Sequence, residues 1–307
     1  MLYNYRYLNF KGSIIINSDQ TLQEQFALFY KEHSPATFEE AVEKFAIFGG
    51  VGWGKVDTTK PAIELIKDLI LSDYRYIRTD VGELTGGAPL YHAVLSGIAL
   101  GDGKTHSAFK RAGTDKDAGE RIVEELVERG IIRVAKANNT FTSWSENESV
   151  DNKLFFTTPF LRFWFAFVSP IFKGIRDGDY KEIEERFANR ESEFYNLLFS
   201  ELSQALLQVA FKEDTLESIG SYWDREHSFD LYGRTKSGKT IVGVTKYVNA
   251  KVKKSTLTQL QTEAEKAGIK ADIFVIVAKK GFSNELKSMK GESLKLFTLK
   301  NFKSLVE

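Results

Sequence analysis

The sequence predicts a protein whose first part is helical and whose last part is an α/β domain with a mixed sheet. Two observations support this fold class. Apolar residues recur at helical spacing through much of the first 194 residues, whereas residues 195–307 contain no proline and alternate helical patterns with short apolar strands. The 307 residues are 42% hydrophobic, enough for two or three domains. We therefore expect a helical region at 1–88, a second domain at 89–150, a helical connector at 151–194 and the α/β domain at 195–307.

Composition argues against several kinds of site. The chain has no cysteine, which rules out disulfides and thiolate metal ligands, and its four histidines are too scattered for metal-ligand spacing. Its first residues lack a basic segment followed by a long apolar core, so we expect a cytoplasmic protein. The net charge is zero, yet residues 231–307 carry 16 Lys and Arg against 6 Asp and Glu. This asymmetry indicates either a surface that faces a polyanion or partner, or a solvated lysine-rich surface.

Two amphipathic helices are expected between residues 21 and 48, and Gly49-Gly50 ends the second. Residues 49–55 match the spacing G-x-x-x-x-G-K of a phosphate-binding loop. We nevertheless predict a turn, because such a loop follows a buried strand and has Ser or Thr after its lysine. Here a helix precedes the glycines and Val56 follows the lysine.

Residues 89–145 have the pattern of three helices followed by a two-stranded hairpin, which is the order of a winged helix. Thr114 is expected to cap the third helix, Gly130 to end it, and Asn138-Asn139 to form the turn of the hairpin. A winged helix typically places its third helix on DNA, but this one carries more acidic than basic residues, which opposes phosphate contact. A winged helix used for protein contacts or domain spacing remains an equal alternative.

The most aromatic run, residues 154–172, is predicted to be a buried core helix. It includes Arg162, and Pro159 and Pro170 limit its helix to about ten residues, whereas roughly 20 are needed to cross a bilayer. We therefore expect no membrane attachment. The charged residues 177–194 then predict a solvated connecting helix.

The last domain is expected to bring Asp230 close to Lys246. Asp230 is predicted to end a short strand and residues 240–248 to form the next, joined by the turn-prone RTKSGK. Alternation along the second strand puts Val244 and Lys246 on one face, toward Asp230. Glu201, on the preceding helix, is placed to add a carboxylate.

This order of helix, hairpin, helix and strand resembles the PD-(D/E)xK nuclease core. There two carboxylates hold Mg²⁺, which polarises the phosphodiester, and a lysine orients water. The resemblance implies Asp230, Lys246 and Glu201 as catalytic positions, with Asp230 and Glu201 as ligands of Mg²⁺ if the site is active. Val244 stands at the remaining acidic position of the motif and cannot ligate a metal. The site is therefore predicted to be degenerate.

The whole chain resembles the part of the archaeal-type ATPase family that follows the nucleotide-binding domain. The matching motifs occur in the same order and are FAIFGGVG at 45–52, the winged helix from Tyr91, PFLRFWFAFVSP at 159–170, IGSYWDREHSFDLYG at 219–233, VGVTKY at 242–247 and KKGFSNEL at 279–286. The resemblance implies a restriction-endonuclease-like last domain. The family's Walker motifs are absent, so we expect neither ATP binding nor hydrolysis. Ser228 and Val244 stand where the family commonly has acidic residues.

The sequence thus predicts a nucleic-acid-associated protein, with DNA favoured over RNA, whose nuclease-like domain is inactive. The expected backbone contacts are Lys246, Lys251, Lys253, Lys254, Arg133 and Lys136. Two other functions remain open. One is a protein-interaction or oligomerisation module, in which the oppositely charged halves pair with a partner or a second copy. The other is a Mg²⁺-dependent nuclease with a non-standard site.

Overall fold

A computed structural model describes residues 19–136 and 151–307. They divide into two compact units, the first formed by residues 19–136 and 151–191 and the second by residues 192–307. Within these described ranges, no helix combines the length and apolarity needed to span a bilayer.

The first unit is mainly helical. Its α-helices are α1 (Leu22–His33), α2 (Phe38–Phe48), α3 (Ala62–Leu65), α4 (Tyr74–Thr85), α5 (Pro89–Leu100), α6 (Thr105–Ala112), α7 (Lys116–Glu128), α8 (Pro159–Phe163) and α9 (Phe172–Arg176). A π-helical segment, Ile66–Leu71, continues α3, and two further segments, π-helical Trp164–Val168 and 3₁₀-helical Ser169–Ile171, join α8 to α9. Strands β1 (Ile132–Ala135) and β2 (Lys153–Phe156) form a two-stranded antiparallel sheet.

The two helices expected between residues 21 and 48 are α1 and α2, and the predicted turn at Gly49-Gly50 is confirmed. Gly49 accepts a backbone hydrogen bond from Phe160. Gly50 has a φ of 79°, and a Cβ there would lie 2.5 Å from Gln25 Oε1 and 2.7 Å from the Cβ of Thr158. Only glycine meets both the backbone and the space requirements. The segment is thus a packed turn, not a cradle open to phosphate.

Three helices, α5 to α7, precede the β1–β2 sheet, as the pattern of residues 89–145 predicts, while the winged-helix identification stays a prediction. The cap of α7 differs from expectation. Asp115, not Thr114, is the N-cap, because its carboxylate accepts a 2.8 Å hydrogen bond from the Ala118 amide and a negative charge is favoured at a helix N-terminus. Gly130, with a φ of 68°, follows the end of the helix as expected.

The partner of β1 also differs from the predicted hairpin. Ala135 pairs with Lys153 and Ile132 with Phe156, so the second strand is β2, well beyond the residues that follow Asn138-Asn139. Alternate residues of β2 point inward, with Leu154 and Phe156 buried, which favours this segment for the pairing. The Asn138-Asn139 turn lies outside the described residues.

The aromatic run forms the core of the first unit, as predicted. Every side chain from Phe160 to Val168 except Arg162 is at most 2% exposed. Rings of this segment pack against one another and against Tyr74, Phe156 and Phe187. The apolarity of the run therefore serves packing within the unit.

Helix α10 (Lys181–Ala210) is continuous over 30 residues and leads from the first unit into the second. The connector expected to end near residue 194 and the next helix are therefore one element. Residues 181–210 contain neither glycine nor proline, and Phe194, Tyr195 and Leu198 are buried. Nothing in the local chemistry interrupts the helix.

The second unit contains the predicted mixed sheet. Its five strands are β3 (Leu216–Trp223), β4 (Ser228–Thr235), β5 (Thr240–Lys246), β6 (Ile273–Ala278) and β7 (Leu294–Thr298), in that spatial order. The first three run antiparallel and the last three parallel. Helices α11 (Lys254–Lys266) and α12 (Asn284–Ser288) follow β5 and β6, and a 3₁₀ segment, Leu299–Leu305, follows β7. The restriction-endonuclease-like identification of this fold stays a prediction.

Candidate functional site

Asp230 lies near the start of β4, not at the end of a short strand as expected. The strand runs from Ser228 to Thr235 because its later residues pair on both sides, with β3 and with β5. Its ladder with β5 ends at the pair Leu231 and Gly243, one residue after Asp230. The Asp230 side chain is therefore positioned where β4 and β5 cease to pair through their backbones.

At that point the carboxylate of Asp230 replaces a backbone acceptor. Its Oδ2 accepts hydrogen bonds from the Thr245 amide at 2.8 Å and from the Thr245 hydroxyl at 3.0 Å. Thr245 is only 2% exposed, so both donors would be costly to leave unsatisfied. The backbone carbonyl of Asp230 accepts a 3.1 Å bond from Gln204 of α10. Asp230 thus ties β5 and α10 to β4, which is a structural role.

Asp230 and Lys246 line the same cavity, of about 410 Å³, together with Ser228 and Val244. Lys246 is the last residue of β5, and no ion pair joins its ammonium to Asp230 in the described part of the chain. Val244 packs against the hydrophobic core of the sheet, consistent with its inability to act as a ligand.

Glu201 does not belong to the described lining of this cavity. Helix α10 contributes Asn196 instead, whose Oδ1 accepts a 3.2 Å hydrogen bond from the Tyr247 amide. The other carboxylate of the lining is Glu263 from α11. A hydrogen bond from Lys266 is the main cause that lowers the pKa of Glu263, which also lies 3.4 Å from His227 Nδ1. Glu263 is therefore a charged group already engaged by two neighbours.

The residues present fit a divalent cation poorly. The described ranges contain no group of three or more His, Asp or Glu side chains that would hold a metal ion. One oxygen of Asp230 is occupied by Thr245, and the paired acidic position is Val244.

Several lysines lie at the end of the sheet where the parallel strands β5 and β6 terminate. We call the group Lys246, Lys251, Lys253, Lys254, Lys279 and Lys280 the basic edge. The connections after β5 and β6 are held side by side, because Val252 exchanges backbone hydrogen bonds with Gly281 and Ser283, each at 2.9 Å, and Lys279 donates to the Lys246 carbonyl at 3.0 Å. Val252 is buried while Lys251 and Lys253 on either side of it are exposed. This pairing brings the charges of both connections to one rim.

Part of the positive charge of this rim is uncompensated among the described residues. Lys254 forms a 3.2 Å ion pair with Glu285, and Lys279 lies over the Tyr247 ring at 4.3 Å. Lys246, Lys251 and Lys253 form no ion pair within the described residues. These three lysines therefore contribute uncompensated positive charge to the rim.

The two basic candidates of the first unit are exposed. Arg133, on β1, lies over the Phe155 ring at 4.7 Å, and Lys136 follows the strand. Both belong to the first unit, and their contact with phosphate stays a prediction.

A comparison with protein families finds a match to part of the chain. The model of the family DUF234, described as "Archaea bacterial proteins of unknown function", matches residues 164–258. This range includes Asp230, Lys246 and the lysines of the first connection of the basic edge. No curated protein and no solved structure matches the chain.

Sequence reasoning missed Thr245, Asn196, Gln204 and Glu263 as neighbours of Asp230 and Lys246. Thr245 is adjacent to Lys246, and its burial and pairing with Asp230 depend on the strand register. Period-two alternation alone gives no sign of a side chain that bonds across to the neighbouring strand.

Proposed function

We propose that this protein binds nucleic acid through the basic edge of its mixed sheet and does not cleave it. The observation that supports the proposal most is the convergence of six lysines on the rim formed by the connections after β5 and β6. Carboxyl ends of parallel strands are where open α/β sheets commonly bind ligands. Lysine ammonium groups at this edge suit the phosphates of a nucleic-acid backbone. Such contacts are electrostatic and carry no sequence specificity.

The absence of cleavage is proposed from the contacts of Asp230. A metal-dependent nuclease needs carboxylates that are free to bind an ion, whereas Asp230 Oδ2 accepts two hydrogen bonds from Thr245 and Val244 fills the neighbouring position. The resemblance to the PD-(D/E)xK core then implies a domain that keeps the nuclease fold and its basic face but lacks the metal-dependent chemistry. Duplex DNA is the partner we propose first.

Fluorescence polarisation with a labelled 20-base-pair duplex tests the binding. The test variant is Lys251→Gln/Lys253→Gln, because both side chains are exposed and form no ion pair among the described residues. We expect salt-sensitive binding whose log–log salt slope falls by nearly 2 in this variant, since each phosphate contact contributes about 0.9.

The matched control is Lys236→Gln/Lys239→Gln, which removes the same charge from the exposed turn before β5, at the opposite end of that strand. This pair should leave the slope nearly unchanged. Absence of binding by the wild type at low salt, or an equal loss in both variants, would refute binding at the basic edge. Metal-dependent cleavage that disappears in Asp230→Asn would refute the proposed lack of catalysis.

A further inference from the structure

The first unit contains a cavity of about 1220 Å³ that no motif in the sequence indicates. Its walls come from α4, the turn before α5, the residue that follows α7, and α9. We call it the arginine cleft, because its lining includes Arg75, Arg78, Arg129 and Arg176.

The charge of the cleft is poorly compensated. Glu83 is the one carboxylate of the described lining. Arg176 is held by Asp177 through Nε at 2.8 Å, whereas Arg75, Arg78 and Arg129 form no salt bridge within the described residues. Among the residues that the structure describes, three guanidinium groups around one concave surface therefore have no partner anion. Arginine presents its donors in a planar fork that matches phosphate oxygens.

Aromatic rings form another part of the surface. Tyr74 and Trp164 stack at 5.8 Å with an interplanar angle of 14°, and both are buried, so they form the floor of the cleft. Phe172 is 40% exposed, and Arg78 lies over its ring at 5.8 Å from the centroid. An exposed ring beside guanidinium groups offers a flat apolar surface next to anion-binding donors, the combination that bases and phosphates require.

The positive charges of the cleft influence the pKa values of two lining residues, Tyr74 and His92. Burial raises the pKa of Tyr74, and the charges of Arg78 and Arg176 oppose that rise. Burial lowers the pKa of His92, and the charge of Arg78 lowers it further. His92 Nε2 lies 3.2 Å from the Thr85 hydroxyl, whose proton is donated to the Val81 carbonyl. The imidazole is thus held neutral as a donor to Thr85, and the guanidinium groups remain the cations of the cleft.

Three glycines of the lining contribute no side chain. Gly86 and Gly87 have φ values of 85° and 67°, which favour glycine, and a Cβ at Gly82 would meet no atom within 4 Å. The volume of the cleft exceeds the roughly 300–1,000 Å³ of common small-molecule pockets, which leaves room for a base and its phosphates.

We propose that the arginine cleft binds nucleotide phosphates, with the base against Phe172. The nucleotide is either free or part of a single strand, because both present the same phosphate and base chemistry. This site is separate from the basic edge and does not depend on it.

The experiment uses the full chain carrying Lys251→Gln/Lys253→Gln, so that any signal from the basic edge is reduced. Two probes are titrated at low salt, ADP by calorimetry and fluorescein-labelled dodecathymidylate by polarisation. Tighter binding of ADP identifies a free nucleotide, and tighter binding of the oligonucleotide identifies a strand. Either result supports the site if Arg78→Gln/Arg129→Gln weakens it by about tenfold or more, as expected for loss of charge-assisted hydrogen bonds.

Arg121→Gln is the control, because Arg121 is exposed on α7 in the same unit and does not line the cleft. It should leave binding unchanged. All the exchanged arginines are exposed, so circular dichroism should show an unaltered fold. Failure of both probes to bind, or equal weakening by Arg121→Gln, overturns the proposal. If the parent chain loses duplex binding in Lys251→Gln/Lys253→Gln but neither probe binds, the basic edge stands and the cleft does not.

Discussion

Replacing Asp230 with alanine is expected to destabilise the sheet of the second unit. The carboxylate is the acceptor for both the amide and the hydroxyl of Thr245, a residue that is 2% exposed. Each buried donor left without a partner costs about 1–3 kcal/mol. Because Asp230 itself is half-buried, water can reach part of the vacated space, so we expect a loss of about 2–3 kcal/mol for the two donors together.

Graded substitutions separate this role from a catalytic one. Asp230→Asn retains an acceptor oxygen and should lose about 1 kcal/mol, since a neutral acceptor is weaker than a charged one. Thr245→Val removes the hydroxyl but keeps the amide bond, and should also lose about 1 kcal/mol. Glu226→Ala is the control, because the Glu226 side chain is 86% exposed, and surface changes of this kind usually stay within about 0.5 kcal/mol.

Native-state hydrogen exchange, read by mass spectrometry on peptides covering β5, is the appropriate assay. A chain with two units need not unfold in one step, so a single global transition would not report on this strand. In Asp230→Ala the β5 amides should exchange about 30-fold faster or more, which corresponds to the loss of at least 2 kcal/mol. Unchanged protection of β5 in Asp230→Ala would refute the structural role of this carboxylate.

Two further predictions concern the first unit. His33 is buried and its Nδ1 accepts a 3.2 Å hydrogen bond from the Val56 amide, and burial lowers its pKa to about 4. Since the unfolded histidine titrates near 6.5, the unfolded chain binds the extra proton first, and stability should fall by up to about 3 kcal/mol as the pH drops from 7 to 4. Thermal melts across this range should show the fall in the wild type and a flatter profile in His33→Asn; equal profiles would contradict it. Gly50→Ala should lose about 2–4 kcal/mol because its φ is positive and its Cβ would meet Gln25, whereas Gly52→Ala, with no atom within 4 Å, should be nearly neutral in the same melts.

Local signals accounted for most of the secondary structure. Helices α1, α2 and α11 were predicted from helical periodicity and end signals, and strands β5 and β6 from apolar runs. These signals involve neighbours within a few residues, so they can be identified from the sequence alone. Strand β3 was missed because LESIGSYW, with its glycine and serines, has little apolar alternation. It forms because Trp223 and Tyr222 are buried in its hairpin with β4.

By itself, the sequence determined that Asp230 and Lys246 come together at one end of a mixed sheet and that Val244 offers no ligand there. Only the tertiary structure decided what Asp230 does, because its partner Thr245 is chosen by the register of β4 and β5 and by burial. It also decided that Asn196, not Glu201, lines the cavity, since rotation of α10 about its axis is set by packing. The arginine cleft, too, is decided only by the tertiary structure. Its arginines span residues 75 to 176 with no common spacing, and folding alone makes them neighbours.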